Sequence, residues 1–163
     1  MLKQVQHDHQ SIKEIMNKLL LHYKRLVSVV NKGQDLALLF LRLALAYGFW
    51  EPAKMKWADI NSVAEWFDSI GIFAPKLNAY LAASTEMAGV FMLALGLGTR
   101  IISIPLIITM LVAIKTVHWE NGFSAGDNGY EIPLYFMLML IVTLTFGAGK
   151  ISVDHFIKKY LNK

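Results

Sequence analysis

The sequence predicts an all-α integral membrane protein: a four-helix bundle preceded by an amphipathic interfacial helix. Three observations carry that expectation. Of 163 residues, 55% are apolar and only 17% charged, and the mean hydropathy is +0.43; soluble domains carry about a quarter charged residues. The apolar residues are gathered into four long runs. The basic residues fall unevenly on the segments between those runs. The length suits one compact unit and is short for two ordinary domains. A net charge of +4 is modest for a nucleic-acid binder, and none is expected as a partner. The absence of cysteine excludes disulfides, thiolate zinc sites, Cys-ligated iron–sulfur clusters, a cysteine nucleophile and c-type haem attachment.

Residues 12–30 come first. Ile12, Ile15, Met16, Leu19, Tyr23, Leu26, Val27 and Val30 recur at spacings of three and four, with Lys13, Lys18, Lys24 and Arg25 largely off that stripe. The pattern is a basic amphipathic helix suited to an anionic membrane surface, or to a partner protein. The first apolar run is Leu36 to about Ala53, interrupted by Arg42. Gly33 ends the preceding helix and Asp35 is placed to cap this one. After it, Ile60, Val63, Ala64, Phe67 and Ile70 repeat with helical period, flanked by Trp57 and Trp66. That is expected to be an interfacial helix with an aromatic anchor. The second run, Leu77–Leu97, contains Glu86. Gly96-Leu97-Gly98-Thr99-Arg100 is short enough to force a helix hairpin into the third run, Ile101 to about Val117. The fourth run is Ile132–Phe146, with Pro133 in its first turn. Spanning takes ~20 residues, so the first and fourth runs are short. The expected organisation is a tail at 1–35, a transmembrane domain at 36–149 and a short tail at 150–163.

Orientation follows from Lys and Arg. Lys3, Lys13, Lys18, Lys24, Arg25, Lys32, Arg100, Lys150, Lys158, Lys159 and Lys163 fall on one side; Lys54, Lys56, Lys76 and Lys115 fall on the other. Both termini are therefore expected in the cytoplasm of a multi-pass protein. The first 30 residues lack the apolar core and cleavage site of a signal peptide.

Ionisable residues inside spans are costly and are candidate functional positions. Arg42 and Glu86 lie within their runs, with an expected depth difference of roughly five residues, ~7 Å at the helical rise. An arginine covers that gap, so an Arg42–Glu86 pair is expected. It is either a structural ion pair or the charged floor of a ligand site or proton relay. A second cluster lies at the outer end: Lys115, His118, Trp119, Glu120 and Asn121 after the third run, Glu131 before the fourth and Glu51 near the end of the first. Lys115 and His118, three apart, should share a helix face. The cluster reads as an interfacial belt or as a site for a quinone head group or small oxyanion. His7-Asp8-His9 is a weak metal motif in a tail, so no metal site is expected. The scattered methionines read as packing. No phosphate-cradling loop and no G-x-S-x-G or H-E-x-x-H motif is present.

Arg42 within Leu41-Arg42-Leu43, Glu86, the Gly96–Arg100 joint, Glu131 and the closing Gly147-Ala148-Gly149-Lys150-Ile151-Ser152-Val153-Asp154 together resemble the DoxX family. The resemblance covers roughly Leu36 to Asp154; Gly-Ala-Gly stands where the family commonly has Gly-Pro-Gly. It implies a four-helix bacterial inner-membrane protein. Some relatives are subunits of quinone-linked thiosulfate oxidation; others accompany oxidative-stress or detoxification systems. The stretch Val117–Phe123 with Asn128–Glu131 looks closest to a subgroup found beside genes for copper-binding modified peptides. Arg42, Glu86, Arg100, Glu131 and Asp154 match the family pattern, with Arg100 and Asp154 as turn positions.

The resulting functional expectation is an accessory subunit of a quinone-linked or copper-peptide maturation system. It would have no built-in cofactor, a quinone as candidate ligand, and a protein partner or second copy in the bilayer. The alternatives are a non-catalytic anchor or assembly factor and a small-molecule transporter.

Overall fold

The computed structural model describes the backbone of residues 2–161 and the side chains of residue 13 and residues 16–161. The regular structure among these residues is helical throughout. The chain divides into two units, Met1–Gln34 and Asp35–Lys163. The first is a single helix, α1 (Leu2–Lys32). Leu19, Tyr23, Leu26 and Val30 form an exposed apolar stripe along it, widened by Leu20 and Leu21. The side chains of His7, Asp8 and His9 lie outside the described residues.

The second unit holds α2 (Gln34–Ala58), α3 (Ile60–Ser69), α4 (Pro75–Leu95), α5 (Thr99–Ala113), α6 (Glu131–Phe146) and α7 (Val153–Leu161). Two helical stretches are long and apolar enough to cross a membrane, Met16–Ala58 and Thr99–Asn121. Glu131–Phe146 is apolar but shorter; its 16 residues rise ~24 Å against a hydrocarbon core of ~30 Å. α4 is long enough at 21 residues, but Lys76, Asn78, Ser84, Thr85 and Glu86 make it more polar than α5 and α6.

The core lies between α2, α4, α5 and α6, where Leu45, Phe49, Val90, Leu93, Leu106 and Leu140 pack together. α4 and α5 form the expected hairpin. Leu97 N–H donates to Met92 O at 2.9 Å and Gly96 N–H to Leu93 O at 3.2 Å, the pair of bonds that closes a helix on a left-handed residue. Gly96 supplies that residue at φ +68°. A β-carbon there would run into the Arg42 guanidinium and Ser152. Between α5 and α6, the buried hydroxyls of Ser103 and Thr143 share a hydrogen bond of 2.8 Å, a common tie between helices that lack a hydrophobic drive to associate.

Two local expectations are corrected. Asp35 does not cap α2: its carboxylate accepts from Lys150 N–H at 2.8 Å and lies 3.5 Å from Lys150 Nζ. α3 does not use its apolar face only as an interfacial anchor. Ala64 and Phe67 are buried against Ala79, with Ile60, Val63 and Ile70 around them. A face with helical period fits a neighbouring helix as well as it fits a membrane. Asp59 caps α3; the Ser62 hydroxyl, and then its amide, hold this exposed carboxyl below the usual carboxylate range. The cap is complete at neutral pH and fades as acid protonates the group.

The tail expected after residue 149 contains α7, joined to the α4–α5 turn. Asp154 N–H donates to Gly96 O at 3.0 Å. The Asp154 carboxylate accepts from Gly98 N–H at 2.8 Å and Thr99 N–H at 3.3 Å, serving as a remote cap for α5. Asp154→Ala should lower stability by about 1–2 kcal/mol, read as a lower melting temperature of the purified protein. An unchanged melting temperature would mean that water caps α5 equally well.

Candidate functional site

The ionisable residues of the bundle separate into two groups. The first lies where α4, α5 and the 147–154 turn meet. Arg42 is fully buried, and its partners are carbonyls: Nη1 donates to Leu93 O at 3.0 Å and Nη2 to Ile151 O at 2.6 Å. Leu93 is in the last turn of α4, where carbonyls lack helical partners and the helix dipole favours a cation. Arg100 Nη2 donates to Thr145 O at 3.0 Å, near the end of α6. Arg42, Arg100, Asp154 and Asp35 thus all bind backbone. They fix the turns of one end, and none of the four lines the cavity described next.

The second group lies along a cavity of ≈ 580 Å³. Gly48, Phe49, Pro52 and Lys56 of α2 line it, with Ala82, Thr85 and Glu86 of α4, Pro105, Thr109 and Ala113 of α5, and Phe136 of α6. Glu86 does not reach Arg42. Its Oε2 accepts from Lys56 Nζ at 2.8 Å, with the two side chains 4% and 20% exposed. Arg42 lies level with Leu93, whereas Trp57, beside Lys56, donates to Ala83 O at 3.2 Å. Leu93 is seven residues beyond Glu86 on α4, ~10 Å along the axis, and the Arg42 guanidinium is committed at that level to Leu93 O and Ile151 O. The expected pair fails because the two runs overlap in a different register from the one their lengths suggest.

The first apolar run fades at Ala53, which leaves Lys56 beyond it among the basic residues of the outer side. The helix instead continues through Pro52 to Ala58. Proline has no N–H, so the Gly48 carbonyl has no partner four residues on. Gly48 also lacks the β-carbon that would overlap the Phe136 ring. Phe136 therefore lies close against α2, edge-to-face on Phe49 with centroids 5.3 Å apart.

The wall from α5 continues into a π turn, Ile114–His118. Nine residues at about 100° each would place Thr109 and His118 on opposite faces of a regular helix. The π turn takes an extra residue per turn and changes that phase, and both line the cavity. Lys115 does not: it is exposed, so the expected Lys115–His118 face is not formed. Glu131 turns to its own loop, its Oε2 accepting from Ala125 N–H at 3.0 Å, and Glu51 pairs with Lys54 at 3.0 Å. Of the outer cluster, His118 alone reaches the cavity. His118 Nδ1 lies 2.7 Å from Asn128 O. A carbonyl only accepts, so Nδ1 carries the proton and Nε2 of the neutral ring is left as an acceptor. Asn121 Nδ2 donates to the same carbonyl at 3.2 Å, holding the 119–131 loop in place.

The fold is thus a helical bundle with apolar outer faces and one mostly apolar cavity holding an internal ion pair. The model of the DoxX family matches residues 37–119, and the chain belongs to that membrane-associated family. It is 35% identical over 131 residues to an uncharacterized protein of Haemophilus influenzae, covering 78% of this chain and 87% of that one. It is 28% identical over 131 residues to putative oxidoreductase CatD of Bacillus subtilis, covering 80% of this chain and 93% of that one. No solved structure matches.

Proposed function

We propose that this protein is a four-span protein of the bacterial cytoplasmic membrane, with both termini in the cytoplasm, that holds a small amphipathic aromatic ligand of the quinone class and serves a redox partner. α2, α4, α5 and α6 are the spans. The Lys and Arg asymmetry supports the orientation, and the name of the Bacillus subtilis relative favours a redox setting.

The observation that carries the ligand reading is the cavity itself. Its volume and apolar walls suit a ring with a short tail. A buried ion pair and an imidazole provide the few polar groups that would fix such a ring. Lys56 has two N–H groups beyond the one on Glu86 and is suited to a ring oxygen at one wall, and His118 Nε2, an acceptor, to a ring hydroxyl at another. A quinone bound there would supply reversible exchange of two electrons and two protons. The protein residues bind and orient the ring, and the apolar walls exclude water. Arg42, Arg100 and Asp154 hold the turns that keep α4 and α5 in register.

The test is organic extraction of the protein purified from its native membranes in mild detergent, followed by mass spectrometry. A lipophilic aromatic redox compound near one per chain is expected. Lipid alone, with a soluble protein co-purifying in its place, would favour the anchor or assembly role.

A further inference from the structure

The polar atoms of the cavity have a bias that bears on which ligand it takes. Thr109 Oγ1 donates its hydrogen to Pro105 O at 3.0 Å, and Thr116 Oγ1 donates to Val112 O at 2.8 Å. Each hydroxyl has its only hydrogen committed to backbone and offers the cavity lone pairs. His118 offers Nε2, because Nδ1–H is committed to Asn128 O. All three line the cavity on the segment from α5 through the π turn. That wall therefore presents acceptors in succession. On the α4 side, Glu86 Oε1 carries no hydrogen bond among the described residues, and Asn78 donates its amide to Phe73 O at 2.6 Å, leaving its own oxygen. The donors lie away from the α5 wall: the remaining Lys56 N–H groups, the Trp66 indole, the Thr85 hydroxyl and the second Asn78 N–H, all from α2, α3 and α4.

We infer that the cavity selects a ligand that donates hydrogen bonds to the α5 wall: a hydroquinone or other phenol in preference to the matching quinone. This rests on the reading of the cavity as a ligand site and adds which form it holds. A quinone oxygen only accepts, so against Thr109, Thr116 and His118 Nε2 it would meet lone pairs and lose its hydration without replacement. A hydroxyl placed there donates to any of the three. The asymmetry is carried by Thr109 and His118, which are half-buried, more than by Thr116, which is exposed, because a polar group left unpaired costs more the further it is removed from water. At the opposite wall the Lys56–Glu86 pair tolerates either form, since it offers both an N–H and a carboxylate oxygen.

The experiment uses the full chain in lipid nanodiscs under anaerobic conditions. Decylubiquinol, decylubiquinone and the dimethyl ether of the quinol are titrated separately, with binding followed by equilibrium dialysis against empty nanodiscs. The quinol should bind at least tenfold more tightly than the other two. In a Thr109→Val, Thr116→Val double variant, that preference should fall to about threefold or less, while affinity for the quinone stays within twofold of the native value. Equal binding of quinol, quinone and ether would overturn the donor inference and leave the cavity reading intact. A quinol preference that the double variant keeps in full would overturn the assignment to the α5 wall. Binding of none of the three above empty nanodiscs would overturn both the inference and the reading it rests on.

Discussion

Arg42→Leu should remove most of the folded protein from the membrane, and Arg42→Lys should restore only part of it. The guanidinium bridges Leu93 O at the end of α4 and Ile151 O in the turn before α7. Leucine strands Ile151 O and leaves Leu93 O only the Gly96 N–H, at a site where the native side chain is fully buried. A stranded acceptor costs ~1–3 kcal/mol, and the lost charge-assisted bond to Leu93 O adds to it. Together they are a sizeable share of a total stability of ~5–15 kcal/mol. Removing a buried charge gives some of this back, because Nε of Arg42 has no partner among the described residues. The carbonyl loss is expected to win, since it also frees the turn that Asp154 and Gly96 hold together. Lysine keeps the charge but lacks the planar fork and can face one carbonyl at a time. Gly96→Ala is a second route to the same defect, because its β-carbon would occupy the space of the guanidinium. Yield of monodisperse protein and its melting temperature measure all three. A native yield for Arg42→Leu would mean that water or lipid head groups satisfy the two carbonyls.

Glu86 and Lys56 should depend on each other and not on Arg42. Glu86→Leu leaves an ammonium facing an apolar cavity, and Lys56→Leu leaves a carboxylate that is only 4% exposed. Removing one partner of a buried pair costs ~3–5 kcal/mol because the other charge is left uncompensated. The double change removes both charges, and replacement of a buried pair by apolar residues is often neutral. A double-mutant cycle on folded fraction should therefore show coupling of at least ~2 kcal/mol between residues 56 and 86, about thirtyfold in the folded ratio. The cycle between residues 42 and 86 should be additive to within ~0.5 kcal/mol. Coupling of 42 with 86, and none of 56 with 86, would reverse the assignment of partners.

The helical runs were legible because apolar content and period are local properties. The α4–α5 joint was legible because Gly96 and Gly98 bracket a turn too short for anything else. Glu86 stood out for the same reason, as a carboxylate inside a run. Its partner did not, since pairing depends on how two distant helices overlap. A signal existed: Arg42, Leu45, Phe49, Ala53 and Lys56 follow one another at intervals of three or four along one stripe of α2. The first four are buried, and continuing that stripe past Pro52 would have turned Lys56 inward. The π turn at Ile114–His118 had no such signal, because its residues fit a regular helix equally well. That single extra residue separated Lys115 from His118 and made Thr109 and His118 neighbours along one wall. Arg100 and Asp154 were legible as turn positions through the family resemblance, and both bind backbone in the structure. The carbonyl partners of Arg42 could not, because they come from segments far apart in the chain.

The central claim is that the cavity between α2, α4, α5 and α6 is a ligand site, and it can be closed without touching the charges. Ala113 lines it on α5, whereas Leu111 is exposed on the outside of the same helix and does not. Decylubiquinol and decylubiquinone should be titrated into nanodiscs holding the native chain, Ala113→Phe or Leu111→Phe, with equal protein incorporation checked by gel filtration. Ala113→Phe should lose at least tenfold in affinity for whichever form the native chain binds, and Leu111→Phe should bind as the native chain does. Native affinity in Ala113→Phe, or equal loss in both variants, would contradict the claim that the ligand sits in this cavity.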